Sequence, residues 1–357
     1  MAARTARHAM TGRHGRRVLI TGHTGFKGAW LAWWLVRDGA TVAGYALAPE
    51  AGRPSLFGAL RLGDVVDSTF ADVRDADSVA RVVQRFRPDV VFHLAAQAIV
   101  RTSYAQPRAT FETNAGGTAA VLDAVRACDA VRAVVVVTSD KCYAPRSAGP
   151  AYREDDPLGG TDPYSASKAA QELVAGAYRA SFFERGPLLA TVRAGNVIGG
   201  GDWSRDRLVP DVVAALVESK PVLLRYPRAI RPWQHVLEPL HAYRVVADRL
   251  LGGDRTVAAA YNVGPSEADH RTVAEVVDRL YAAWGRAPAW EMVPDVQPAE
   301  AHVLRLDAGK AERELGVVPR LGLETACRLT ASWYRAWAQG ADARGLCDAD
   351  LAAFGDV

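Results

Sequence analysis

The chain has 357 residues, 49% of them hydrophobic and 23% charged, which suits one large globular domain or two closely packed ones. Its 43 basic and 40 acidic residues nearly balance, and a net charge of +3 is too weak a bias for a protein that binds nucleic acid or a membrane surface. No apolar run reaches the roughly 18 residues of a membrane span. The cysteines form no CxxC pair and no metal-ligand spacing, which favours a reducing, cytoplasmic compartment and no metal site.

Strand-like and helix-like segments alternate through the first half of the chain. Strands are predicted at residues 18–21, 41–45, 89–93, 131–137 and 188–193, and helices at 26–37, 78–86, 118–126 and 165–184. This alternation predicts an α/β fold with a Rossmann-like, doubly wound parallel sheet covered by helices on both faces. Ligands of such sheets bind at the carboxyl ends of the strands, where the strand order reverses.

The pattern becomes less regular after about residue 196. Pro and Gly are frequent there, and shorter helices are predicted at 209–219, 237–251, 271–284, 307–315 and 322–338. We therefore expect a Rossmann-like domain at 17–195, with later segments interleaved, and a smaller C-terminal α/β cap at 196–340. Residues 1–16 are expected to form a disordered basic tail, with an Arg-rich transit peptide as the alternative, and 341–357 a C-terminal tail.

A glycine-rich turn, GHTGFKG at residues 22–28, follows the first predicted strand and opens the first helix. Glycines let such a turn close tightly and let backbone N–H groups approach a phosphate, while the helix N-terminus adds partial positive charge. In this context the GxxGxxG spacing predicts a dinucleotide whose pyrophosphate contacts Gly22, Gly25, Phe26 and Gly28.

The adenosine end of the dinucleotide site lacks one expected group. A carboxylate usually holds the ribose after the second strand, but residues 44–48 read GYALA. The acidic residue that indicates NAD is therefore absent, and Arg53 keeps NADP as an alternative cofactor. Asp72 and Val73 are expected near the adenine. The third predicted strand, at 89–93, is followed by residues that let a backbone lie against a cofactor, namely Leu94, Ala95, Ala96 and Gln97.

Tyr164 and Lys168 lie four residues apart on a predicted helix and so face the same side. A phenol has a pKa of about 10, and making it a base at pH 7 requires roughly 4 kcal/mol. A nearby lysine cation favours the phenolate. The YxxxK pattern alone is common, but together with the glycine turn it predicts redox chemistry in which both residues contact cofactor and substrate.

Six longer stretches resemble one protein superfamily: GHTGFKGAWL, FHLAAQAIVRTSY, TSDKCY, DPYSASK, RAGNVIGGGDW and IRPWQHVLEPL. Over about residues 16–338 the chain resembles the extended short-chain dehydrogenases/reductases. Within them it is similar to the nucleotide-sugar 4,6-dehydratases, most closely those that act on CDP-glucose. The resemblance implies a Rossmann domain, bound NAD and conversion of an NDP-hexose to its 4-keto-6-deoxy form. It also implies a homodimer, built from the helices that lead from Thr110 and Ser165.

The resemblance assigns roles to the residues that follow the run of four valines. Ser139, with Thr138 as the second choice, would hydrogen-bond the sugar O4. Tyr164 would take the proton of the 4-hydroxyl group while hydride leaves C4, and Lys168 would hold the nicotinamide ribose.

Asp140 and Lys141 occupy the positions where dehydration needs an acid and a base. Our hypothesis makes Asp140 the acid at C6 and Lys141 the base at C5; the reverse assignment, or an intervening water, stays open. A protonated aspartic acid and a neutral lysine are required. Burial favours both states, and the adjacency of the two groups opposes both.

Most candidate substrate ligands follow the fifth predicted strand and lie in the cap, whereas Arg101, a weaker candidate, follows the third predicted strand. Arginine suits a diphosphate because its fork bonds two oxygens at once. The candidates are Arg101, Asn196, Arg207, Leu208, Arg231 and Trp233. The nucleotide base cannot be read from spacing, and cytosine comes only from the resemblance.

Two alternative functions stay open. An NDP-sugar 4-epimerase, or another enzyme that forms a 4-keto sugar, would share Tyr164 and Lys168 but would not need Asp140 and Lys141. A non-catalytic NAD-binding protein would not need the intact set of Ser139, Tyr164 and Lys168.

Overall fold

The computed structural model of the chain describes residues 14–146, 149–294 and 303–355. The strands are β1 (Arg17–Thr21), β2 (Thr41–Ala46), β3 (Asp67–Phe70), β4 (Val90–His93), β5 (Ala133–Val137), β6 (Leu188–Ala194), β7 (Asn196–Ile198), β8 (Val222–Leu224), β9 (Ile230–His235), β10 (Ala260–Val263), β11 (His270–Thr272) and β12 (Trp290–Met292).

The helices begin after the glycine turn and continue to the end of the described chain. They are α1 (Phe26–Arg37), α2 (Leu56–Ala59), α3 (Ala76–Phe86), α4 (Val100–Ala105), α5 (Pro107–Phe111), α6 (Gly117–Arg126), α7 (Pro163–Ser181), α8 (Leu208–Glu218), α9 (Leu237–Leu251), α10 (Val273–Trp284), α11 (Gly309–Leu315), α12 (Leu323–Ala338) and α13 (Ala343–Gly355). A π-helical turn at Glu112–Gly116 joins α5 to α6. None of these helices has the length and apolar character needed to cross a membrane.

Seven parallel strands form the central sheet in the order β3-β2-β1-β4-β5-β6-β10. Side chains of β5 alternate between the two faces: Val135 and Val137 belong to one apolar cluster, and Val134 and Val136 to another. Helices therefore cover both faces of the sheet, as the continuous run of valines predicts. The α/β, Rossmann-like fold predicted from the sequence is confirmed.

The strand order reverses between β1 and β4, because β2 and β3 extend the sheet to one side and β5, β6 and β10 to the other. Chain segments that leave neighbouring strands in opposite directions open a crevice at the carboxyl ends of β1 and β4. Two small sheets, β11-β9-β7 and β12-β8, come from the part of the chain after residue 195.

The structure corrects the prediction of a C-terminal tail at 341–357. Residues Ala343–Gly355 form α13, with Cys347 and Phe354 buried in the core. Phe354 packs edge-on against Trp34 of α1. The helix predicted at 271–284 begins instead at Val273, because residues 270–272 pair with β9. Of the basic tail predicted at 1–16, residues 1–13 lie outside the described residues.

Candidate active site

A cavity of about 810 Å³, here called the site cavity, lies at the carboxyl ends of the central strands. Every candidate residue from the sequence lines it: Gly22, Gly25, Phe26, Gly28, Asp72, Val73, Leu94, Ala95, Ala96, Gln97, Arg101, Ser139, Asp140, Lys141, Tyr164, Lys168, Asn196, Arg207, Leu208, Arg231 and Trp233. Residues far apart in the chain meet here because parallel strands end at the same edge of a sheet.

The glycine turn has no room for side chains at two positions. Gly22 has φ +79°, and a Cβ built on it would lie 2.7 Å from the backbone nitrogen of Ala95. A Cβ on Gly28 would lie 2.1 Å from the Gly22 carbonyl oxygen. The N-terminus of α1 therefore reaches the cavity as bare backbone, which fits the pyrophosphate of a dinucleotide.

The end of the cavity at which adenosine is predicted contains an acidic side chain fixed by a local hydrogen bond. Asp72 lines the cavity, and Arg74 donates to its carboxylate at 2.6 Å, which holds the pKa of Asp72 below its usual value. Arg53, the residue that kept NADP as an alternative cofactor, is not among the described residues that line the site cavity. Its guanidinium donates instead to the backbone oxygen of Trp203 at 2.7 Å.

Tyr164 and Lys168 lie on the first two turns of α7, with only 8% and 3% of their surfaces exposed. Asp162 caps this helix by accepting from the Ser165 N–H at 2.9 Å. Burial raises the pKa of Tyr164, and a hydrogen bond from Ser139 partly offsets the shift. Burial and the nearby Lys27 lower the pKa of Lys168 to about 7.

A short 3₁₀ turn, Asp140–Cys142, follows β5 and is capped by the Ser139 hydroxyl. Ser139 Oγ lies 3.0 Å from Asp140 Oδ1, and Asp140 Oδ2 has no hydrogen-bond partner among the described residues. Lys141 Nζ lies 4.0 Å from Asp140 Oδ1. The buried hydroxyl and carboxyl groups and the half-buried amino group therefore form one polar group at the end of β5.

A buried polar network holds this segment at both ends. Arg193 donates to Glu172 at 2.9 Å and to the Tyr143 hydroxyl at 2.9 Å. Thr138 also donates to Glu172, so its hydroxyl is engaged in this network. Thr138 and Tyr143 flank Ser139, Asp140 and Lys141 in the chain. The network therefore fixes the backbone that carries them and makes Thr138 the weaker candidate for the sugar contact.

The predicted substrate residues line the cavity, but several of them also bind protein groups. Arg101 pairs with Asp206 at 3.0 Å, and Arg207 donates to the Ala98 backbone oxygen at 3.2 Å. The Arg231 guanidinium is buried, and Trp233 donates to the Arg271 backbone oxygen at 2.9 Å. A diphosphate would compete with the contacts of Arg101 and Arg207, both of which are exposed.

Sequence reasoning missed Lys27, which lines the cavity inside the glycine turn. Its amino group lies 3.4 Å from the Tyr243 hydroxyl. Burial lowers its pKa to about 8, Arg207 adds to the shift, and Asp140 opposes it. A charged side chain between Phe26 and Gly28 was the signal that could have identified it. Within the described parts of the chain, no cluster of His, Cys, Asp and Glu side chains has metal-site geometry.

Comparisons with known proteins converge on one family. The family model described as GDP-mannose 4,6 dehydratase matches residues 19–330. CDP-glucose 4,6-dehydratase of Salmonella typhimurium is 47% identical over 335 residues, which are 92% of this chain and 93% of that protein.

Solved structures with the same fold include a dehydratase and an epimerase. DesIV, the dTDP-glucose 4,6-dehydratase of Streptomyces venezuelae with NAD and TYD bound, aligns with a TM-score of 0.79 and 26% identity over 92% of this chain and 99% of that one. UDP-glucose 4-epimerase of Thermus thermophilus, in complex with NAD, aligns with a TM-score of 0.76 and 28% identity over 89% and 99%.

Proposed function

Because the chain belongs to the GDP-mannose 4,6-dehydratase family, we propose that it converts CDP-glucose to CDP-4-keto-6-deoxyglucose. The enzymes of this family are NAD-dependent extended short-chain dehydrogenases/reductases. The observation that carries this proposal is the 47% identity, across 92% of the chain, with a CDP-glucose 4,6-dehydratase. The product is a precursor for deoxysugar biosynthesis.

The cofactor-binding residues fit NAD. Bound NAD would accept a hydride from the sugar C4 and return it to C6. The glycine turn would hold the pyrophosphate, and Asp72 and Val73 would lie near the adenine. The segment that follows β4, at residues 94–97, leaves backbone and mostly small side chains for the cofactor to lie against.

Tyr164, Ser139 and Lys168 would act at the sugar C4. Tyr164 takes the proton of the 4-hydroxyl group, and Ser139 donates a hydrogen bond to O4. The positive charge of Lys168, when it is protonated, favours the phenolate that this step requires. Burial, which raises the pKa of Tyr164, makes that charge necessary.

Asp140 and Lys141 would carry the dehydration. A ketone at C4 acidifies the C5 proton, which Lys141 removes, and Asp140 protonates the C6 hydroxyl so that water leaves. Support comes from their position: both line the site cavity directly after Ser139. A 4-epimerase has no need of these two groups, so the pair favours dehydration over epimerisation.

Turnover of four nucleotide sugars tests the proposal. The protein is incubated with CDP-, dTDP-, GDP- or UDP-glucose and either NAD or NADP, and the products are followed by NMR. We expect CDP-glucose with NAD to lose its C6 hydroxymethyl signals and gain a methyl signal, without net formation of NADH. A product that keeps the hydroxymethyl group would contradict the proposal and indicate an epimerase.

We further propose a homodimer in which α7 and the region of α5 and α6 meet their copies. Large apolar side chains are exposed on these elements, Phe111 by 39% and Leu173 by 63%, and directly after α7, Phe182 by 48%. We expect Leu173→Glu to give a monomer by light scattering, while Val217→Glu, at an exposed apolar position on α8, stays dimeric. A Leu173→Glu variant that remains a dimer would refute this interface.

We also propose that the protein works in the cytoplasm. All four cysteines are buried as free thiols, and a reducing compartment keeps such thiols intact. Fractionation of cells that produce the protein should find it with cytoplasmic markers; recovery in a secreted fraction would contradict this.

A further inference from the structure

The site cavity extends from the reacting groups into the cap. Beyond Arg207 it is lined by the first turn of α8, by Leu223 and Leu224 of β8, and by Arg225 and Tyr226. The proposed chemistry uses none of these side chains. A nucleotide sugar, however, has a nucleoside that must lie somewhere in the cavity.

Asp211 differs from the other carboxylates that line the cavity. Its side chain accepts no hydrogen bond and forms no ion pair with any residue in the described parts of the chain. The others are each engaged by a protein group: Asp72 by Arg74, Asp140 by Ser139, Asp202 by the Ser204 N–H and Asp206 by Arg101. Asp211 is thus a carboxylate in the cavity that lacks a donor.

The position of Asp211 along α8 places it away from the reacting groups. Arg207 directly precedes α8, and its charge acts on both Tyr164 and Lys168. Asp211 lies four residues later, on the same face and about 6 Å further along the helix axis. The charges that act on Asp211 are instead Arg225, Asp206, Arg53 and Asp202. If Arg207 meets a phosphate, Asp211 is one turn further toward the nucleoside.

The residues around Asp211 leave its carboxylate without a hydrogen-bond donor from the protein. The residue is open to the cavity, yet desolvation by the protein around it raises its pKa to about 6, and Arg225 opposes that shift. Arg225 forms neither a hydrogen bond nor an ion pair with Asp211 among the described residues, and its guanidinium donates to the backbone oxygen of Asp206 at 3.3 Å. Asp211 is exposed to the cavity, so its carboxylate is free to accept from a ligand N–H group there and would be repelled by a phosphate or a carbonyl oxygen.

We propose that Asp211 accepts a hydrogen bond from the exocyclic amino group of the substrate's nucleobase and so selects cytosine against uracil and thymine. Cytosine carries an N4 amino donor where uracil and thymine carry the O4 acceptor. This inference rests on the proposed function, because the identity of the base comes from CDP-glucose. Guanine also carries an amino group, so GDP is a necessary arm of the test.

Equilibrium binding of CDP, UDP, dTDP and GDP, measured by calorimetry, tests Asp211 without requiring turnover. We expect the unaltered protein to prefer CDP over UDP and dTDP by about tenfold or more, since a mismatched base leaves the carboxylate facing an acceptor. Asp211→Asn should lose about tenfold in affinity for CDP, because a neutral amide oxygen accepts a weaker hydrogen bond from N4 than a charged carboxylate does. UDP should lose nothing, because the amide can turn its N–H group toward O4. Glu218→Gln, an exposed change at the end of the same helix, should leave all four affinities unchanged.

Four results would overturn the inference. Unchanged affinities for both CDP and UDP in Asp211→Asn would show that the carboxylate does not contact the ligand. An equal loss for all nucleotides would indicate a contact with the ribose, and an equal gain would indicate only charge repulsion of the diphosphate. GDP binding more tightly than CDP in the unaltered protein would replace cytosine by guanine.

Failure of the proposed function gives a different pattern. If the unaltered protein makes no deoxy product from CDP-glucose but Asp211→Asn still loses its CDP preference, the proposed function fails and the base contact stands. If the product forms and the preference is unaffected, only the base contact fails.

Discussion

Lys141 Nζ lies 4.0 Å from Asp140 Oδ1, yet the two side chains differ in exposure, with 22% for Lys141 and 3% for Asp140. A proton taken up by Lys141 can therefore exchange with water, whereas one held by Asp140 is shielded. This difference separates the two proposed roles experimentally, because C5 of the sugar should exchange its proton with solvent through Lys141.

Lys141→Met should keep the oxidation of C4 and stop the steps that follow it. We expect C5 exchange and loss of water to fall by about 10²–10⁴, the usual contribution of a positioned acid or base. Deuterium at C5 and methyl formation at C6 are read by NMR in D₂O, with reduced cofactor followed by absorbance. The exposed Lys220→Met is the control, and normal methyl formation by Lys141→Met would remove Lys141 from the mechanism.

Asp140→Asn should separate the two proton transfers. If Asp140 protonates the leaving hydroxyl, this variant still exchanges the C5 proton but forms no methyl product, since an amide cannot supply the proton. The same NMR experiment in D₂O measures both steps. Loss of C5 exchange in Asp140→Asn, together with its retention in Lys141→Met, would reverse the assignment.

The low pKa of Lys168 predicts a pH-dependent stability. Its pKa falls from 10.5 to about 7 on folding, mainly because of burial. Between these values the unfolded chain binds more protons than the folded one, so the contribution of Lys168 to stability rises with pH across this window and is constant below it. The melting temperature of Lys168→Met minus that of the unaltered protein should therefore be larger at about pH 6 than at about pH 9. A difference independent of pH would contradict the shift.

Arg193→Met should strongly destabilise the fold. Arg193 and Glu172 form an ion pair at 2.9 Å with side chains only 4% and 3% exposed, so removing the guanidinium leaves a buried carboxylate uncompensated. We expect the free energy of unfolding in urea to fall by about 3–5 kcal/mol. Adding Glu172→Gln should recover part of this loss. A loss below about 1 kcal/mol, as for a surface pair, would mean that the pair does not hold residues 138–143.

Local patterns sufficed to predict five of the seven strands of the central sheet, but not its edge strands β3 and β10, and they identified candidate residues that line the site cavity. The valine run marked β5 as buried on both faces, and the segment after it had to lie at the carboxyl edge of the sheet. The alternation of side chains along an extended chain also separates Thr138, which binds Glu172, from Ser139, which lies beside Asp140.

Other features depend on contacts between distant segments. Asp211 has the sequence signature of an ordinary carboxylate in the first turn of a helix, and only the position of α8 over the cavity distinguishes it. The segment of α13 carries Leu346, Cys347, Leu351 and Phe354 at helical spacing, a signal that the prediction of a tail overlooked. The side chains that the helix buries, Cys347 and Phe354, are identified only by its packing against the core. Lys27 lies near the start of α1, and the charged groups that act with it are distant in the chain: Asp140 follows β5, and Lys168 lies on α7.

The fate of a single deuterium tests the central claim most directly. CDP-glucose labelled with deuterium at C4 is incubated with the protein and NAD, and the product is examined by NMR and mass spectrometry. A 4,6-dehydratase that returns its hydride should move the deuterium from C4 to a new methyl group at C6. Deuterium that stays at C4 of an intact hexose, or that accumulates in free reduced cofactor, would contradict the proposed function.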